Sequence, residues 1–142
     1  MSDIVEIYVD GGSRGNPGPA AIAFVIPARR EQYKKAFPEK RTNNEAEYMA
    51  LIYALSYAEL QKFTQLRVFT DSQLVANQIN GTFGCYDPRM KRLLKSARVL
   101  IAKFTQFEII LVKRRKNREA DRLCNEALDE LRQVTRMGSH SA

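Results

Sequence analysis

The chain has 142 residues, 44% of them hydrophobic and 27% charged, with a formal net charge of +7. That length suits one domain with a full hydrophobic core, and no apolar run approaches the ~20 residues a membrane-spanning helix needs. The N-terminus shows neither a basic leader nor an apolar signal core, so a cytoplasmic protein is expected, with Cys85 and Cys124 as reduced thiols because they lie far apart and outside any CxxC spacing.

In chain order, "IVEIYV" (4–9) alternates and is rich in β-branched residues, which predicts a strand running into the glycine-rich loop "DGGSRGNPG". "AAIAFVIPA" reads as its hairpin partner and "EQYKKAF" as a third, edge-like strand. "NNEAEYMALIYALSYAELQKF" is helical and apolar on nearly every side, so it is expected between other elements. "LRVFTDS" is a short buried strand ending at Asp71, followed by the helix "QLVANQING". "PRMKRLLKSARVLIAKF" is an amphipathic helix with Lys91, Lys95 and Arg98 outward, "FEIILVKR" a strand, and "NREADRLCNEALDELR" a final helix. The fold class is therefore α/β: a mixed five-stranded sheet, three antiparallel strands and then parallel ones, flanked by helices. The domain is expected over 1–134, with 135–142, including the single histidine His140, as a disordered tail.

The charge is unevenly placed. Between Asp87 and Arg118 there are eleven Lys/Arg residues against only Asp87 and Glu108, while the rest of the chain is close to neutral. Such a segment is either a polyanion-binding surface or a solvated charged helix face.

Four acids stand where packing gives no reason for them: Asp10 and Asp71 at strand ends, Glu47 and Asp121 on helices. At 100° per residue, Glu47 and Asp121 each lie about 90° from the centre of their helix's apolar stripe, flanking a buried face. Each acid has a local explanation of its own. Asp71 could cap the following helix, Glu47 could belong to a capping box although Thr42 and Glu45 can form it, Asp121 could answer a helix dipole, and Asp10 a turn. One shared explanation is more economical. Clustered carboxylates repel unless cations neutralise them, hard divalent ions prefer oxygen ligands, and a pair of such ions serves phosphodiester displacement. A cation would also reconcile Asp10 with a glycine loop suited to phosphate.

"YVDGGSRGNPGPAAIAFVI", "TNNEAEYMALIYAL", "FTDSQLVANQING" and "NREADRLCNEAL" resemble the four signature blocks of type 1 ribonuclease H, in order and with similar spacing, over roughly residues 3–131. The resemblance places the family's acidic quartet on Asp10, Glu47, Asp71 and Asp121 as catalytic and metal-binding residues. It implies hydrolysis of the RNA strand of an RNA/DNA hybrid with two Mg²⁺ or Mn²⁺ ions, leaving 5′-phosphate and 3′-hydroxyl ends. It also implies that Gly11, Gly12, Ser13 and Asn16 approach RNA 2′-hydroxyls and that Asn43, Asn44 and Gln73 reach the minor groove. Thr42, with Lys40 or Arg41, is similar to the pocket for a DNA-strand phosphate. The implied protein is a monomer with no membrane and no obligate protein partner.

Two features depart from many members of that family. The tryptophan-bearing basic insertion is replaced by "TFGCYDP", so the basic helix 88–103 is expected to serve instead, or hybrid binding to be weaker. The loop before Asp121 reads "VKRRKNREAD", without the histidine of many bacterial members. A broader nuclease acting also on RNA–DNA junctions or double-stranded RNA, and a non-catalytic hybrid-binding module, are the alternatives. The intact quartet speaks against the latter.

Overall fold

The computed structural model describes residues 3–139. Three antiparallel strands open the chain: β1 (Val5–Ser13), β2 (Gly18–Ile26) and β3 (Glu31–Arg41). Helix α1 (Asn43–Leu60) leads to β4 (Gln65–Thr70), which pairs parallel to β1. Helices α2 (Gln73–Ile79) and α3 (Pro88–Ile101) lead to β5 (Gln106–Leu111), parallel to β4, and α4 (Arg118–Ser139) closes the fold. The sheet order is β3-β2-β1-β4-β5. This is the mixed five-stranded architecture that the sequence pattern predicts.

The two faces of the sheet follow from strand alternation. Along β2, Ile22, Phe24 and Ile26 join the large core beneath α1 and α3, with Ile7, Val9, Tyr48, Leu51 and Leu55. The intervening Ala21, Ala23 and Val25 face α4, where they pack under Leu123, Cys124, Ala127 and Leu128. Small residues on that side let the last helix lie close to the sheet. Helix α1 is buried on most sides, as its uniform apolarity predicts, and packs against β1, β2 and α3.

Two local expectations are corrected. The glycines after Asp10 are not a loop, because β1 continues through Gly11, Gly12 and Ser13, paired with Ile22, Ala21 and Ala20. Helix α4 continues to Ser139 through the segment assigned to a tail, with Thr135 Oγ1 donating to Leu131 O at 3.0 Å. Residues 140–142, and His140 with them, lie outside the described residues.

Candidate active site

The parallel pairing of β1 and β4 does the first part of the assembly. Tyr8 is in register with Phe69, so two residues further on Asp10 and Asp71 emerge side by side at the same end of the sheet. Asp71 is not the cap of α2, because Ser72 Oγ accepts from Val75 N at 3.2 Å and holds that position. Asp71 is thereby left free for the cleft.

Glu47 reaches the same place from α1. Its Oε1 accepts from Gly11 N at 2.6 Å. That approach requires a glycine, because a Cβ at residue 11 would lie 2.1 Å from Ala46 O. Nor is Glu47 needed to cap its helix: Thr42 Oγ1 accepts from Glu45 N at 3.1 Å while Glu45 Oε1 accepts from Thr42 N at 2.9 Å, a complete capping box.

Asp10, Glu47 and Asp71 each offer a carboxylate oxygen, and these oxygens all lie within 4.8 Å of one another. Asp10 and Glu47 are buried, at 7% exposure each. Burial, then Glu47, Asp71 and Asp121, push the Asp10 carboxyl up to about 10. Burial and Asp71 raise Glu47 to about 8 against the opposing Gly11 N–H and Ser72 hydroxyl. Burial also raises Asp71, while Asn117 and Arg114 pull it back. Charge is thus being forced out of a site whose ligand atoms are all hard oxygens. A divalent cation is the group that fits such a donor set, and Asp10, Glu47 and Asp71 are the residues that would hold it.

Asp121 lines the same cleft but stands outside this tight set of three. Its Oδ1 accepts from Arg114 Nη2 and from Asn125 Nδ2, both at 3.4 Å. Arg114 and Lys113 form the cleft wall where the sequence has no histidine. The cleft has a volume of about 780 Å³.

The other residues of interest divide into two groups. Gly11, Gly12, Ser13, Asn43, Asn44 and Gln73 line the cleft, and Asn43 Oδ1 accepts from Ser13 N at 3.2 Å. Asn16, Lys40 and Thr42 do not line it. Asn16 Oδ1 accepts from Asn43 N at 3.0 Å and so supports the start of α1, Thr42 caps that helix, and Lys40 is exposed on β3 opposite Pro19. Lys91, Lys95 and Arg98 are exposed on α3, as its amphipathic pattern predicts, and border a separate groove with Phe83 and Cys85. Sequence reasoning missed Ser72, Arg14 and Asn117. Ser72 and Asn117 look like ordinary helix caps, and Arg14 is one arginine among many. Arg14 lines the cleft and pairs with Asp129 at 2.7 Å, and Asn117 Nδ2 donates to Val9 O at 2.7 Å.

Comparison with known proteins agrees with this architecture. Residues 8–127 match the family described as Reverse transcriptase-like. The chain is 41% identical over 129 residues to the Ribonuclease HI of Halobacterium salinarum, covering 89% of this chain and 65% of that protein. The crystal structure of RNase H1 from the same archaeon superposes with a TM-score of 0.85 at 40% identity, covering 90% of this chain and 99% of that one. LC11-RNase H1, in its complex with an RNA/DNA hybrid, superposes with a TM-score of 0.81 at 33% identity, covering 89% and 98%. The chain spans 65% of the length of the archaeal Ribonuclease HI and 35% of the length of its relatives from Mycobacterium bovis and Mycobacterium tuberculosis. With the four sequence blocks, the sheet order and the acid cluster in agreement, the chain belongs to the type 1 ribonuclease H family.

Proposed function

We propose that the protein hydrolyses the RNA strand of an RNA/DNA hybrid, using two divalent cations, Mg²⁺ or Mn²⁺, and leaving 5′-phosphate and 3′-hydroxyl ends. The observation that carries this reading is the convergence of Asp10, Glu47 and Asp71 within 4.8 Å at the floor of an open cleft. Cations bound there supply Lewis acidity at the scissile phosphate and activation of the attacking water. Asp10, grouped with Glu47 and Asp71, would hold the cations together with them. Asp121, which lines the same cleft, would complete the ligand set, and Arg114, paired with it at 3.4 Å, would balance charge on that wall.

Selectivity follows from the opposite rim. Asn43, Asn44 and Gln73 present carboxamides that both donate and accept, and Gly12 and Ser13 keep that edge low. These groups suit the wide minor groove of an A-like duplex, where 2′-hydroxyls identify the RNA strand. Thr42 and Lys40, at the start of α1 and the end of β3, are assigned to a phosphate of the DNA strand. The hybrid complex formed by LC11-RNase H1 supports this substrate.

The test is a gel of end-labelled hybrid, double-stranded RNA, double-stranded DNA and single-stranded RNA with Mg²⁺. Cleavage confined to the RNA of the hybrid is expected. Equal cleavage of double-stranded RNA would establish a broader nuclease, and binding without cleavage a non-catalytic module.

A further inference from the structure

Asn117 sits in the basic turn before α4, yet it is among the most deeply buried residues, at 1% exposure. Its bonds lead to the acids or their immediate neighbours. Nδ2 donates to Val9 O, the carbonyl preceding Asp10, at 2.7 Å. Its own carbonyl accepts from Asp121 N at 3.0 Å, and its N–H closes the turn on Arg114 O at 2.9 Å. Its carboxamide also faces the Asp71 carboxyl closely enough to pull its pKa back down. Its Oδ1, by contrast, is buried with no partner among the described residues.

That asymmetry is informative. An unpartnered buried acceptor is destabilising, whereas an apolar side chain of similar size would carry no such penalty. A helix cap would use the side-chain oxygen to accept from an early helix N–H. Here the oxygen is idle and the amide donates to Val9 O. The residue is being used as a donor.

We propose that Asn117 is a positioning residue that ties the end of β1 to the start of α4, and so sets where Asp121 lies relative to Asp10. Its effect on turnover rests on the hydrolytic reading above. Its effect on cation binding does not, because the ligand atoms are shared whatever the reaction.

The test uses the full chain as wild type, Asn117→Ala and Asn117→Asp, the last keeping the shape but replacing the amide donor with oxygen. Mn²⁺ binding is measured by electron paramagnetic resonance without nucleic acid, together with kcat and KM for hybrid cleavage and the melting temperature. Both variants are expected to weaken Mn²⁺ binding and lower kcat by about 10- to 100-fold, the range for residues that hold metal ligands in place. KM for the hybrid is expected to stay within about twofold, because the substrate-facing residues are untouched. Wild-type Mn²⁺ affinity and kcat in a variant that circular dichroism shows to be folded would overturn the proposal, whatever its melting temperature. Asn117→Ser carries the same comparison if the other variants do not fold. A wild-type protein that binds Mn²⁺ but cleaves no hybrid would remove the hydrolytic reading, and the Mn²⁺ comparison would still decide Asn117.

Discussion

Around Asp10 carboxyl groups are buried and tethered, whereas along α3 positive charge is exposed and loosely held. Glu47 is anchored by Gly11 N at 2.6 Å, and Asp121 by Arg114 and Asn125. Lys91 and Lys95 stand exposed with no ion pair among the described residues, whereas Arg98 donates to Gln78 O at 3.2 Å and Arg89 lies 4.0 Å from Glu45 Oε1. Metal coordination depends on oxygen positions to a few tenths of an ångström, so its residues need hydrogen bonds of their own. Attraction of a polyanion depends on charge density and tolerates mobile side chains. Mobile lysines on α3 would therefore suffice to attract a polyanion, while no comparable freedom exists at Asp10.

The strongest way to break this contrast is to remove one tethered acid. Asp10→Asn keeps the shape but deletes a charged ligand, and hybrid cleavage is expected to fall by on the order of 10²–10³-fold or more, since several kcal/mol of stabilisation is lost at about 1.4 kcal/mol per decade. The same substitution removes a carboxyl that burial holds at about 10, so the melting temperature of the metal-free protein should rise. A variant keeping half its activity would refute the assignment.

Reversing charge on the loosely held face should act on binding alone. Lys91→Glu with Lys95→Glu is the cleaner pair, because Arg98 also supports Gln78. Hybrid affinity is expected to drop and the log–log salt slope to flatten by roughly 0.9 for each phosphate that is no longer neutralised, with kcat unchanged. An unaltered slope would mean that this face is only solvated.

A smaller effect concerns pH. Asp10 and Glu47 titrate higher in the folded chain than in the unfolded one, so the native state holds protons that the unfolded state has released. Their contribution to the stability of the metal-free protein is therefore full below about pH 4 and is lost as pH rises through about 8 for Glu47 and about 10 for Asp10. Added Mg²⁺ should abolish most of the decline, as calorimetry at several pH values would show. The smallest effect is expected at His140. Arg132 to Gly138 are exposed and none of them lines the cleft, so His140→Ala should leave the rate unchanged, with no inflection near pH 6.5.

Much of the fold was legible because its periodicities are unambiguous. The alternation of "IVEIYV" and the uniform apolarity of α1 pointed to the first strand and the sandwiched helix directly. The acids were legible because one shared explanation was more economical than four local ones, and the structure then gives the caps to Ser72 and the Thr42–Glu45 pair. The glycines misled, because Gly–Gly after an aspartate has the composition of a turn while Gly11 is in fact a strand residue pressed against the α1 backbone. Asn117 was invisible for a related reason. An asparagine ahead of a helix reads as a cap, and only its hydrogen bonds show that its amide, not its oxygen, is engaged.

The bond from Gly11 N to Glu47 Oε1, at 2.6 Å, also makes the site observable from within. A short bond to a carboxylate shifts an amide proton far downfield, and the chain has only 7 glycines to crowd that part of a ¹H–¹⁵N spectrum. The Gly11 resonance is therefore a native probe of Glu47. It should move when Glu47 gains or loses its proton, and move again when a cation draws the carboxylate toward Asp10. Occupancy of the cleft could then be followed in solution at a single backbone signal, without substrate or turnover.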